Sequence, residues 1–153
     1  MICAGGGGIP VVRGRDGKME GVEAVIDKDR ASALLARALE ADVLLMLTNV
    51  EAVFRDWGVL GQTTIARITP DALATMQFSE GSMGSKITAA CDFGRTGGKM
   101  AGIGRFQDAR SIVEERAGTR VRMEPNTVEI RLPSPKNAGQ TSNHQPEAVQ
   151  GSA

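Results

Sequence analysis

A helix-to-strand junction in the first third of the chain does most to limit what it can fold into. Val43-Leu44-Leu45-Met46-Leu47, bounded by Asp42 and Thr48, is a continuous apolar run. Lacking polar alternation, it has the pattern of a strand covered on both faces of a parallel sheet. The residues before it, Asp27 to Ala41, follow a different period. Ala31, Leu34, Leu35, Ala38 and Leu39 recur at helical spacing and predict an apolar stripe. Asp27 and Asp29 suit the N-terminal turn of that helix. Helix followed by buried strand is half of a βαβ unit, so the expected class is α/β.

Composition agrees with that class. The 153 residues suffice for one domain with a core, and with four Phe, one Trp and no Tyr that core must be aliphatic. Lys plus Arg, 18, equals Asp plus Glu, 18, so no net field favours nucleic acid or an acidic membrane surface. No signal peptide is expected, and no stretch approaches the roughly 20 apolar residues of a membrane helix. Cys3 and Cys91 sit in apolar stretches without metal-ligand spacing and read as small buried hydrophobes of a reducing cytoplasm. His144 is the only histidine, which removes most Ser-His, Cys-His and zinc chemistry.

Along the chain, Val11–Arg13 and Lys18–Glu20 flank the turn Gly14-Arg15-Asp16-Gly17 and predict a hairpin. Val53–Arg55 and Ile65–Ile68 read as short strands. Thr69-Pro70 opens a helix with Thr as cap and Pro first. A helix follows Gly81 and ends near Gly94, then a small-residue strand over 99–104, a surface helix over 107–116 and a final strand over 118–123. Residues 124–153 hold four of the six prolines and little aliphatic content. Such a segment buries too little to offset its ordering entropy. The expected organisation is therefore a domain over 1–123 and a disordered tail over 124–153.

Three short motifs carry chemistry. Gly5-Gly6-Gly7-Gly8 lets successive N–H groups approach an anion, although the lack of a following Gly-Lys-Ser/Thr rules out a Walker loop, Ile9-Pro10 rules out a Rossmann loop, and a flexible turn accounts for it equally well. Asp27-Lys28-Asp29 is compatible with a plain charged helix start, but a lysine in the first turn opposes the helix dipole and needs a carboxylate or phosphate nearby. Gly81-Ser82-Met83-Gly84-Ser85-Lys86 places small residues where a phosphate can approach a helix start, with Lys86 in reach as a point charge. The bland alternative is a capped helix with an exposed lysine. Thr48-Asn49-Val50 ends the apolar strand, where open α/β sheets bind ligands.

Taken in order, Gly5–Val11, Gly21-Val22-Glu23-Ala24-Val25-Ile26-Asp27-Lys28-Asp29, Leu47-Thr48-Asn49-Val50 and Gly81–Lys86 resemble the carbamate kinases of the amino acid kinase family. The resemblance runs from residue 2 to about residue 122. It implies a three-layer α/β/α sandwich with a mainly parallel sheet. It also implies reversible phosphoryl transfer between ATP and carbamate, giving carbamoyl phosphate and ADP, with Mg²⁺, in arginine catabolism. By position, Asp29 resembles the aspartate that orients the catalytic lysines, and Lys28 and Lys86 resemble lysines on the transferring phosphoryl group. Thr48, Asn49, Val50, Gly81, Ser82, Met83 and Lys86 resemble the nucleotide pocket, and Gly5–Gly8 a substrate or phosphate loop. No protein metal ligand is expected. The implied partners are the nucleotide, carbamate or carbamoyl phosphate, and, for the complete enzyme, a second copy in a homodimer. The resemblance covers the carboxy-terminal, nucleotide-binding half of the family. An amino-terminal half with a further lysine and most of the carbamate site is expected elsewhere, and this half alone is expected to be inactive. Ser85 stands where the family commonly has Pro, the helix around Gly94-Arg95 is about one residue short, and the tail has no recognised counterpart.

Overall fold

The computed structural model describes residues 8–59, 61–76, 78, 82–124 and 128–131. Its elements are β1 (Val11–Arg13), β2 (Met19–Gly21), α1 (Lys28–Ala38), β3 (Val43–Thr48), β4 (Phe54–Arg55), β5 (Thr63–Ile68), α2 (Pro70–Ala74), α3 (Ser82–Arg95), β6 (Met100–Arg105), α4 (Ala109–Val113), β7 (Thr119–Val121) and β8 (Glu129–Arg131). The apolar run is a strand, as its pattern requires. β3 lies parallel to β6, in register from Val43–Met100 to Thr48–Arg105. β7 is antiparallel to β6 and parallel to β5. The strand order is β3-β6-β7-β5-β4, with β8 also on β5. β1 and β2 form a separate hairpin, as expected, turned at Gly17 with φ +82°.

Alternation along β6 assigns the layers. Ala101 and Ile103 point into a core with Leu44 and Met46 of β3, Ala33 of α1, and Ala89, Ala90 and Phe93 of α3. Gly102 and Gly104 point the other way. A Cβ at Gly102 would lie 2.6 Å from Ile112 Cγ2, and one at Gly104 2.8 Å from Ile112 Cδ1 and 3.0 Å from the Glu51 carbonyl oxygen. Bare backbone there lets α4 seat the fully buried Ile112 directly on the sheet. The result is helices α1 and α3, with α2 against α3, on one face and the short α4 on the other. This is the α/β class expected, with a mixed sheet whose longest ladder is parallel.

Local signals explain most helix ends. Asp27 caps α1, and Thr69 caps α2 by accepting the Ala72 N–H at 3.2 Å, with Pro70 first in the helix. The helix expected over 107–116 is shorter: a 3₁₀ turn at Phe106–Asp108, then α4. One expectation changes. The α1 stripe is present, but it is not what the helix buries: Asp29, Ala33 and Ala36 are buried, while Leu34 and Leu39 are 66% and 70% exposed. Alanines let α1 approach α3 closely, so the small-residue face wins over the leucine face. Within the segment expected as a tail, Glu129–Arg131 pair with β5 from Thr64 to Arg67. Arg67 draws this strand in through ion pairs with Glu124 at 3.2 Å and Glu129 at 3.7 Å. Residues 132–153 lie outside the described residues.

Candidate functional site

α1 leads through a short connection into β3, and α3 into β6. Each helix returns along the sheet antiparallel to the strand that follows it. Because β3 and β6 are parallel, the N-termini of α1 and α3 and the carboxyl ends of both strands gather at one end of the sheet. That end carries the positive poles of two helices.

The start of α1 is built by Asp27. Its backbone is extended, and its carboxylate accepts the N–H groups of Asp29 at 2.8 Å and Arg30 at 3.0 Å. A hydrogen bond from the Ser85 hydroxyl, helped by the Arg30 N–H, holds the Asp27 carboxyl below the ordinary aspartate range. The two helix starts are thus tied together through Ser85, a role that its sequence motif did not reveal.

Two residues on, Asp29 faces α3. Lys86 Nζ lies 2.9 Å from Asp29 Oδ2 and 3.2 Å from Oδ1, with side chains 7% and 12% exposed respectively. The two residues are 57 apart in sequence. This geometry replaces both bland readings: Asp29 is not on a solvated face, and Lys86 is not an exposed lysine. A buried ion pair is poor stabilisation, since desolvating two charges offsets most of their attraction. What it provides is a fixed ammonium. Nζ has three donors, and the carboxylate engages at most two, leaving at least one to point elsewhere.

Lys28, by contrast, is exposed on the first turn of α1 and makes no salt bridge among the described residues. The structure does not bring it to the Asp29–Lys86 pair. Thr48 and Val50 are half-buried and Asn49 exposed at the carboxyl end of β3, with the Thr48 hydroxyl 3.2 Å from Asn49 Oδ1. Ser82 opens α3, and Met83 packs partly buried against the core. Gly8 is exposed with open space around its α-carbon. Gly5, Gly6, Gly7 and Gly81 lie outside the described residues.

Sequence reasoning missed Arg105. It ends β6 in register with Thr48, and its guanidinium bridges Glu51 at 3.2 Å and Asp108 at 3.0 Å. It thereby fixes the loop after β3 against the turn after β6. Three charges dispersed over 58 residues gave no local signal. Among the described residues no cluster of three His, Cys, Asp or Glu could hold a metal ion. No helix there is long and apolar enough to cross a membrane. Cys91 is buried and free, and burial pushes its thiol up, as a small hydrophobe requires.

The sequence model of the amino acid kinase family matches residues 2–103. The chain is 48% identical to the carbamate kinase of Haemophilus influenzae over 121 residues, which cover 79% of this chain and 39% of that protein. It is 44% identical to the carbamate kinase of Rhizobium meliloti over 141 residues, 88% of this chain and 44% of the relative. The carbamate kinase of Giardia lamblia bound to AMP-PNP superposes with a TM-score of 0.74 at 34% identity, covering 80% of this chain and 44% of that one. The chain therefore spans about two fifths of the length of the curated relatives it matches.

Proposed function

The chain belongs to the amino acid kinase family, and from that premise we propose that it forms the nucleotide-binding, phosphoryl-donor portion of a carbamate kinase. The reaction is ATP plus carbamate giving ADP plus carbamoyl phosphate, run reversibly: a carbamate oxygen bonds to the γ-phosphorus as the bond to ADP breaks. Its setting is arginine catabolism, where the reverse direction makes ATP.

The buried Asp29–Lys86 pair carries this reading. Phosphoryl transfer asks little covalent chemistry of a protein and much positioning and charge stabilisation. Asp29 orients Lys86, whose free donor reaches a phosphate oxygen. The N-terminal N–H groups of α3 add further donors to the same anion. Thr48, Asn49 and Val50 line the nucleotide pocket at the strand end. Lys28, exposed here, meets the phosphoryl group only once further chain closes over the first turn of α1. Mg²⁺ would be bound as a companion of the nucleotide phosphates, the usual mode of this cation with such substrates. Once bound, it would neutralise phosphate charge.

A second reading, nucleotide binding without turnover by this chain alone, is favoured by its coverage of 39% to 44% of the relatives. We assign the acceptor site to the amino-terminal portion of the fold. Titration of the purified chain with ADP and Mg²⁺ by calorimetry tests the shared part of both readings. Binding is expected. Lys86→Ala, checked for folding by circular dichroism, should weaken it by about 1–3 kcal/mol, the scale of a charge-assisted contact. Equal affinity in a folded variant would make Lys86 a structural residue only.

A further inference from the structure

We propose that Arg105 is a positioning residue for the nucleotide, holding residues 49–51 in a ligand-ready shape across the carboxyl end of the sheet before any nucleotide arrives. This rests on the reading that Thr48, Asn49 and Val50 line the nucleotide pocket.

The chain leaving β3 crosses the ends of the next two strands in the sheet order. Over β6, the Glu51 carbonyl oxygen would lie 3.0 Å from a Cβ at Gly104, so the glycine is what lets the chain pass this closely. Over β7, the Val53 N–H donates to the Thr119 hydroxyl at 2.8 Å, and that hydroxyl donates to the Ile65 carbonyl at 2.6 Å. Thr119 is fully buried, and Ala52 and Val53 are 4% and 1% exposed. The far end of the crossing is thus anchored in the core. The near end starts from Thr48, in register with Arg105.

Between these anchors lie Asn49, Val50 and Glu51, and Arg105 takes hold of that arc. Its Nη2 donates to Glu51 Oε2 at 3.2 Å and its Nε to Asp108 Oδ2 at 3.0 Å. A guanidinium is a planar fork, so two carboxylates fix its plane, which an ammonium would leave free to turn. Asp108 closes the 3₁₀ turn that follows Arg105. The turn therefore sets the guanidinium, and the guanidinium sets Glu51. Ordering backbone costs conformational entropy. An arc ordered in advance keeps that cost out of the binding free energy. Arg105 thereby acts on the nucleotide through the arc rather than by touching it.

The test titrates the full 153-residue chain with ADP and Mg²⁺ by calorimetry, comparing the parent with Arg105→Ala, Arg105→Lys and Arg95→Ala. Arg95 pairs with Asp71 at the other end of α3 and controls for general loosening. Arg105→Ala should weaken binding about fivefold, the affinity equivalent of one part-exposed ion pair, with a less favourable binding entropy. Arg105→Lys should restore only part of the affinity, and Arg95→Ala should bind as the parent does. In the ligand-free chain, the Val53 amide should exchange faster in Arg105→Ala than in the parent. Unchanged affinity in a folded Arg105→Ala chain overturns the proposal. An equal loss in Arg95→Ala does so too, because the effect would then be one of stability. Should Arg105→Ala fail to fold, Glu51→Gln breaks the same pair from its other side while keeping the side chain's shape. It should also weaken binding, and unchanged affinity there overturns the proposal. A parent that fails to bind ADP sinks the functional reading and this proposal with it, whereas a binding parent with an unaffected Arg105→Ala sinks this one alone.

Discussion

The two edges of the sheet are built on opposite principles. At the β5 side, pairing ends in pieces: β4 has two residues and β8 three, and the register with β8 shifts between Ile65 and Arg67. Charges crowd there. Glu115 takes ion pairs from Arg67, Arg120 and Arg122, and Glu124 and Glu129 take further contacts from Arg67. At the β3 side there is one long uncharged strand, a leucine face, and a single buried ion pair between α1 and α3. The first side is finished against water. The second has the composition of an interior strand and ends the strand order among the described residues. Charge and short strands protect the first edge against further pairing, and the second lacks both devices among the described residues.

The largest effect that sharpens this contrast is expected at the buried pair. Asp29→Ala strands the Lys86 ammonium among apolar groups and should cost about 3–5 kcal/mol in urea unfolding. Adding Lys86→Met should recover most of that. A loss below about 1 kcal/mol would mean that water reaches the pair, and the contrast with the β5 side would fail. Next comes Glu115→Ala. It removes the shared partner of three arginines, one of them, Arg120, with a side chain 4% exposed. A loss of about 1–3 kcal/mol is expected, the cost of an unsatisfied buried donor. The parent's Glu115 contribution should shrink in 1 M salt, where the screening length is only about 3 Å, while that of Asp29 should not. Equal salt response at both sites would erase the distinction.

Deleting residues 125–153 removes β8 and should lower stability by about 1–2 kcal/mol, the scale of a few net hydrogen bonds. An unchanged midpoint would show that β8 adds nothing to β5. The smallest effect concerns Asp27. Its carboxyl is held low in the folded chain, so its contribution is present above the ordinary aspartate range and lost as pH falls through the depressed value. Asp27→Asn should flatten the acid limb of the stability profile. An identical limb in parent and variant would deny the Ser85 contact any energetic role.

What could be read from the sequence was local. Asp27 as cap, Thr69-Pro70 as helix start, the hairpin at Gly14–Gly17 and β3 as a strand each follow from a few neighbouring residues. Periodicity showed that α1 has a leucine face, but it could not say which face turns inward. That choice is made by α3, whose Ala89 and Ala90 accept close approach. The types at Asp29 and Lys86 were legible as charges at helix starts. Their contact was not, because it depends on how two distant helices pack. β8 escaped notice because its order comes from β5 and Arg67 rather than from its own apolar content. The acidic and basic residues around Glu115 look in sequence like ordinary solvated surface.

Ile112 also constrains the order in which this chain can change. One side chain touches the positions that Cβ atoms would take at Gly102, Gly104 and Gly118. At Gly102 the obstructing atoms, from Ile112 and Leu45, belong to side chains, whereas at Gly104 and Gly118 backbone oxygens stand in the way as well. An alanine at 102 is thus open to a lineage only after Ile112 has been trimmed and Leu45 has turned aside, and harmful before. The other two glycines stay closed whatever happens to Ile112. The order of substitutions, and not only their identity, decides which descendants of this chain keep the layer beneath α4.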